Sequence, residues 1–233
     1  MATKTHKASV SELSALPVLP ASPTLEEEMA LLSQGYSCIA GLDEAGRGCL
    51  AGPVVASAVI LPLNDETLAL FDGVRDSKQL SAQARERLFD VIMQHALAVG
   101  VGSGSVELID SINILQATKH AMRSALTQLP LQPHALLLDA LLLHDIALPQ
   151  RSIIKGDARC LSIAAASIIA KVTRDRLMRQ LHQQYPVYGF HQHKGYGTPA
   201  HIEALQTHGA SPIHRTSFSP VRELLYGLFP TSP

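Results

Sequence analysis

The amino-acid sequence predicts an α/β protein: a mixed five-stranded sheet with flanking helices and more helix toward the C-terminal end. Two patterns carry this. Apolar runs at 37–42, 53–61 and 96–106 read as successive strands, and their links imply an antiparallel meander. Helical stretches then connect the third strand to further apolar runs at 135–139 and 152–154, which suggests parallel pairing in that half of the sheet. The 233 residues fit one domain with appendages, large enough to bury about 70% of its unfolded surface.

In chain order, residues 1–23 mix Ser, Thr, Ala, Lys and Pro without periodicity and read as a mobile tail. Thr24 followed by Glu27 is a capping-box pattern, so a short helix starts there and ends by Gly35. Ser37–Leu42 and Pro53–Leu61 are the first two strands, and 64–73 is a loop or short helical turn. Ser81 caps a helix reaching Gln94, with Leu88, Val91 and Ile92 as its buried stripe. The third strand holds glycines at 100, 102 and 104, whose spacing fits neither a Walker loop nor a dinucleotide fingerprint. Asp110 or Ser111 caps a helix to about Gln128, closed by Leu129 and Pro130. Ala135–Asp139 is the fourth strand, in an apolar stretch that continues to Leu143, and Ser152–Ile154 is the fifth. A helix from Leu161 to about Gln183 carries Ala164, Ala165, Ala166, Ser167 and Ala170, small enough for close packing on a sheet. A Tyr/Gly/His-rich loop (185–197) and helices at Pro199–His208 and Val221–Leu228 complete the chain. Three parts result: a tail with a short helix (1–36), a sheet-bearing core (37–183) and a C-terminal loop and helical extension (184–233).

Composition excludes several classes. No apolar run approaches the roughly 20 residues needed to cross a bilayer, and the first residues lack a basic-then-apolar signal pattern. Cys38, Cys49 and Cys160 are far apart and odd in number, which argues against a disulfide framework or cysteine zinc site and for a reducing compartment. A cytoplasmic protein without membrane contact is the expectation. The net charge of −1 announces no polyanion partner, yet residues 151–200 hold eight Lys/Arg against two acids. That local surplus, opposite an acidic site, suits a polyanion; for Arg174–Arg179 alone, a solvated helix face is the better reading.

Four acids carry the chemistry. Asp43 and Glu44 follow an apolar strand and lead into Gly46-Arg47-Gly48. Strand neighbours point to opposite faces, so either the strand ends between the two acids or one acts through its main-chain carbonyl. The alternative is a hairpin turn with solvated acids. Asp139 ends the fourth strand, and Asp157 sits in a turn before a helix. Carried by neighbouring strands, the four converge at one sheet edge. Ionised carboxylates in such a cluster repel and need divalent cations. The all-oxygen set favours Mg²⁺ or Mn²⁺ over zinc. Two ions about 4 Å apart would serve an in-line phosphodiester displacement.

Six segments, in order, carry a family resemblance: Leu42–Gly48 (LDEAGRG), Asp76–Leu80 (DSKQL), Ile154–Ala158 (IKGDA), Ser162–Lys171 (SIAAASIIAK), Lys194–Thr198 (KGYGT) with His201, and Ile213–Phe218 (IHRTSF). Together they closely resemble bacterial type 2 ribonuclease H, ribonuclease HII, over about residues 38–220. The resemblance implies a ribonuclease H-like fold, with a mixed five-stranded sheet, flanking helices and a C-terminal helical extension. It implies cleavage of the RNA strand of RNA·DNA hybrids, and cutting 5′ of single ribonucleotides embedded in duplex DNA, with two Mg²⁺ or Mn²⁺ ions when substrate is bound. Asp43, Glu44, Asp139 and Asp157 match the family's metal-binding carboxylates. Gly46, Arg47 and Gly48 match its 2′-hydroxyl-sensing backbone, and Tyr196 its junction-reading tyrosine. One departure stands out: the third acid commonly precedes glycine, and here it precedes Ala140, which does not easily adopt positive φ.

The residues agree with that implication. Glycines around Arg47 let main chain approach a sugar, whose 2′-hydroxyl separates RNA from DNA. Ser77, Lys78, Lys194 and Arg215 are candidates to hold backbone phosphates. Lys171 is read as supporting the acids from its helix, His191 and His193 as solvent-exposed, and His201 as structural. A junction resolvase would share the acids but has no use for Gly-Arg-Gly with Tyr196. A hybrid-binding protein that has lost catalysis would not need all four acids. The expected working form is a monomer.

Overall fold

The computed structural model describes residue 20 and residues 22–227, so nearly all of the expected mobile tail and the last residue of the expected terminal helix lie outside the described residues. The strands are β1 (Ile39–Ala45), β2 (Val54–Ile60), β3 (Ala98–Gly104), β4 (Ala135–Asp139) and β5 (Gln150–Ile153). They form one sheet in the order β3-β2-β1-β4-β5. β1–β2 and β2–β3 are antiparallel, while β1–β4 and β4–β5 are parallel. The helices are α1 (Glu26–Leu32), α2 (Thr67–Leu70), α3 (Ala82–His95), α4 (Val106–Thr127), α5 (Gly156–Arg159), α6 (Leu161–Gln184), α7 (Phe190–His193), α8 (Pro199–His208) and α9 (Val221–Leu225). None among the described residues is long and apolar enough to cross a membrane.

Alternation along the strands splits the core in two. Ala40, Leu42, Leu136 and Leu138 face α4, whose Ala117, Ala121, Met122 and Ala125 are buried on them. On the other face, Val59 packs with α3 and α6 through Leu88, Ile92, Ala165 and Ile169. The small residues act as expected. A Cβ on Gly41 would collide with the Ser162 backbone of α6, and one on Gly102 with the Ala121 carbonyl of α4. The glycines of β3 thus mark where a helix lies against bare main chain.

Several boundaries differ from expectation. β1 does not end at Leu42 or between the acids but continues through both to Ala45, because Asp43 and Glu44 still pair in register with Ser57 and Ala56 of β2. α4 starts at Val106, where Ser105 accepts the Leu108 amide at 3.2 Å. Asp110 is not its cap; its carboxylate takes the amides and hydroxyls of Thr216 and Ser217. Asn113 interrupts this helix at φ 67°, and its side chain caps the second segment through the Leu115 and Gln116 amides. The 185–197 stretch contains a short helical turn and α7 rather than loop alone. At the other end, Thr24 does not close a capping box; Glu27 reaches Arg151 at 3.0 Å instead. Glu28 is buried and accepts the Ser162 amide at 2.9 Å, so α1 caps the first turn of α6 and belongs to the packed body.

Ala140 takes the conformation that its side chain opposes, φ 47°. Its amide is fixed to the Ile153 carbonyl at 3.1 Å, so β5 imposes the turn. Left-handed backbone costs a non-glycine residue about 1–2 kcal/mol, offset in glycine by about 0.4–1 kcal/mol of extra unfolded-chain entropy. Ala140→Gly should therefore be neutral to stabilising, by up to about 1 kcal/mol in denaturant titration. A clear destabilisation would show that the turn carries no strain.

Candidate active site

The parallel pairing of β1 and β4 sets Leu42 beside Leu138. The next residue on each strand is an acid, so Asp43 and Asp139 lie side by side on one face at the strand ends. Glu44 points the other way, but the pairing of β1 with β4 has ended, and Asp43, Glu44 and Asp139 all line one cleft of about 180 Å³. Asp139 Oδ1 accepts the Gly156 amide at 2.8 Å, which ties the end of β4 to α5. That bond, with Lys155 at φ 55°, delivers Asp157 to the back of the site. There Lys78 Nζ meets the Asp157 carboxylate at 3.3 Å.

Burial first, then repulsion from Glu44 and Asp139, holds the Asp43 carboxyl well above the ordinary carboxylate range. Burial also raises Glu44, against the pull of Arg47 at 3.2 Å. Asp157 is raised by burial and by Asp76, against the pull of Lys78. Glu44 Oε2 is buried with no hydrogen-bond partner. An oxygen-only donor set with an orphaned carboxylate oxygen and mutual repulsion fits a hard divalent cation. Among the described residues, however, no three acidic, histidine or cysteine side chains are close enough to hold an ion as they stand. Arg47 draws Glu44 aside and Lys78 draws Asp157, so these two carboxylates would have to turn inward to hold an ion.

These shifts fix a sign. A carboxylate raised in the folded chain destabilises it at neutral pH, and the loss is recovered as pH falls through the folded value. His201 and His214, both depressed to about 4 chiefly by burial, act oppositely and lose stability as pH falls below their unfolded value. The melting-temperature difference between Asp43→Asn and wild type, both metal-free, isolates the carboxylate. It should be positive at pH 7 and shrink toward pH 5; a difference independent of pH would show that Asp43 is not raised.

The cleft also receives Gly46, Arg47, Gly48, Ser77, Lys78, Lys171 and Tyr196. Three expected site residues do not line the cleft: Asp157, which stands behind Lys78, and Arg215 and Lys194. Arg215 does not face a phosphate: it is fully buried and donates to the carbonyls of Gly46 (2.7 Å), Arg47 (2.9 Å) and Gly52 (2.8 Å). Lys194 does not line the cleft, and its ammonium turns back onto the carbonyls of His191 and Gln192. Lys171 pairs with Asp175 at 2.7 Å and lies 5.6 Å from the centre of the Tyr196 ring.

The glycines divide in role. Gly46 has φ 96°, and its missing Cβ is the space occupied by the Arg174 guanidinium. Nothing lies within 4 Å of a Cβ on Gly48. Gly195 does not loosen the Tyr196 loop; at φ 84° it lets the loop press on the Ala51 carbonyl, 2.5 Å from where a Cβ would sit. Three successive carbonyls there are held, Lys194 by Arg174 (2.8 Å), Gly195 by the Leu50 amide (2.8 Å) and Tyr196 by His201 Nδ1 (2.9 Å). Tyr196 stays 41% exposed on this pinned backbone.

Arg174 does not lie on the solvated helix face expected for Arg174–Arg179. It is wholly buried, donating to Ala51, Pro53 and Lys194 carbonyls. The available signal was helical spacing, since Arg174 lies four residues from each of the buried Ala170 and Met178. His193 is likewise no free surface histidine: it is bonded to the Tyr188 carbonyl at 2.6 Å. His201 is buried, as read.

Comparison with known proteins gives one consistent set of relatives. The sequence model of the family described as Ribonuclease HII matches residues 40–221. Ribonuclease HII of Chloroflexus aggregans is 56% identical over 205 residues, covering 88% of this chain and 97% of that protein. Ribonuclease HII of Acetivibrio thermocellus is 55% identical over 192 residues, covering 82% and 73%. The crystal structure of ribonuclease H2 from Pyrococcus horikoshii superposes with a TM-score of 0.68 at 29% identity, covering 82% of this chain and 98% of that one.

Proposed function

Because the chain belongs to the ribonuclease HII family and is thus an endoribonuclease, we propose that it hydrolyses the RNA strand of RNA·DNA hybrids and cuts 5′ of single ribonucleotides in duplex DNA. The Gly46–Gly48 turn carries this reading. Arg215 takes the carbonyls of Gly46 and Arg47 from inside. In a trans peptide the following N–H points the opposite way, so the amides of Arg47 and Gly48 face away from the clamp. They can meet a 2′-hydroxyl beside Asp43, Glu44 and Asp139.

Asp43, Glu44, Asp139 and Asp157 would hold the Mg²⁺ or Mn²⁺ ions. Two such ions, when bound, supply an activated water and stabilise the leaving oxygen. Asp43 sits at the floor of the cleft, 5% exposed, where a negative charge counts most. Lys78 and Lys171 line the cleft and offset the charge of an arriving phosphate. Tyr196, exposed at the cleft, would lie against the sugar at the RNA–DNA junction. A water oxygen–phosphorus bond forms and the phosphorus–O3′ bond breaks, with a proton passing to O3′, leaving 3′-hydroxyl and 5′-phosphate ends. We place the protein in the cytoplasm as a monomer, a setting that suits three free cysteines.

The test is cleavage of duplex DNA carrying one ribonucleotide, beside an all-DNA control. One cut 5′ of the ribonucleotide is expected. Cutting of the control, or a 2′,3′-cyclic phosphate end, would overturn the reading.

A further inference from the structure

Behind Tyr196 lies a chain of side chains that the proposed chemistry does not use. The Tyr196 carbonyl is 2.9 Å from His201 Nδ1, and His201 Nε2 is 3.0 Å from His214 Nε2. His214 Nδ1 is 2.9 Å from the Ser211 amide and 2.8 Å from its hydroxyl. The roles along this chain are determined from both ends. A carbonyl only accepts, so His201 carries its proton on Nδ1 and accepts at Nε2. His214 must then donate from Nε2 and accept at Nδ1. The Ser211 amide, which only donates, independently demands the same tautomer.

Both rings are buried, His201 at 0% and His214 at 1% exposure. His193 stacks on His201 at 4.4 Å, Phe190 lies against both, and Tyr188 meets His214 edge-on at 4.8 Å. The titratable groups facing the pair are therefore His193 and the Tyr188 phenol. The next residue, Arg215, sends its guanidinium away to Gly46 and Arg47. Burial lowers both imidazoles to about 4, so each holds one proton at neutral pH. Another proton would set N–H against N–H across the 3.0 Å contact.

We propose that His201 and His214 are positioning residues, a neutral imidazole pair that locks the Tyr196 backbone to the segment carrying Arg215. One end of this link sets the tyrosine, and the other is one residue from the arginine that holds the Gly46–Gly48 turn. The pair thus keeps the two substrate-reading elements in one register. The inference rests on Tyr196 reading the junction.

The test uses the whole chain with Mg²⁺, comparing His214→Phe, which removes the donor to His201, with His214→Gln, which places an amide N–H near the same point. Each is assayed for kcat/KM on the single-ribonucleotide duplex and on a uniform hybrid. Each is also labelled with fluorotyrosine, the Tyr196 ¹⁹F resonance being assigned by its loss in Tyr196→Phe. His214→Phe should lose about tenfold on the single-ribonucleotide duplex and much less on the hybrid, the scale of a modest misplacement of a substrate contact. Its Tyr196 resonance should move, and His214→Gln should return both toward wild type. An unchanged resonance and unchanged substrate ratio in folded His214→Phe would overturn the proposal. If His214→Phe does not melt cooperatively, His201→Asn, which keeps a donor near the Tyr196 carbonyl but cuts the link to His214, takes the same measurements with the same expectation. The two readings separate cleanly. Equal losses for Tyr196→Ala on both substrates would remove the junction reading, while a moved resonance in His214→Phe would still uphold the pair's hold on the loop.

Discussion

Asp43→Asn should lower turnover at least about a hundredfold, the scale of losing a key electrostatic group, while leaving the fold intact. The amide keeps the shape of the carboxylate and can still receive the Glu44 amide, 2.7 Å from Asp43 Oδ1. It removes the charge that Asp139 and Glu44 repel. Without metal the variant should therefore melt above wild type. Mg²⁺ should raise the wild-type melting temperature by mass action and raise the variant's less. Single-turnover cleavage and paired melting curves with and without Mg²⁺ decide it. Near-wild-type turnover would remove Asp43 from the metal set.

Much of this site was legible in the sequence because acids at the ends of apolar strands are a local signal. Strand count, mixed pairing and the placement of Asp43, Asp139 and Asp157 follow from runs of Leu, Val, Ala and Ile and from turn residues beside them. Arg215 illustrates the limit. A positive residue in a substrate-binding segment suggests a phosphate contact, and only the three-dimensional path of 46–52 shows that carbonyls already surround its guanidinium. Gly195 shows the same limit. Glycine in a loop looks like freedom, and here it is the absence of a Cβ against Ala51. The extension of β1 through Asp43 and Glu44 is set by pairing with β2, which local sequence does not contain.

The second large effect concerns the reading of the ribonucleotide. Gly48→Val should cut kcat/KM about a hundredfold on both the single-ribonucleotide duplex and a uniform hybrid, because a branched side chain would hold the sugar off the turn. The substitution is clean: a Cβ on Gly48 meets nothing within 4 Å, so the folded chain accepts it. At Gly46 the same change would strike Arg174 and confound the result with stability. Tyr196→Ala should instead discriminate, losing about tenfold more on the single-ribonucleotide duplex than on the hybrid, where many registers are available. Equal losses would mean that the tyrosine does not read the junction. Full activity in a folded Gly48→Val would place the sugar elsewhere.

The position of β1 in the sheet has a consequence for how the molecule comes into being. β1 pairs on one side with β2, about a dozen residues away, and on the other with β4, which follows nearly a hundred residues later. Near pairings close small loops and form early, and distant ones wait on slower chain closure. Asp43 and Glu44 lie on the early side of that seam, Asp139 and Asp157 on the late side. In refolding from denaturant, amides of β1–β2 should gain protection before those that join β1 to β4, and cleaving ability should return only with the second group. A newly made or partly opened chain with a half-built sheet is then silent toward nucleic acid, because its nuclease centre straddles the last joint to close.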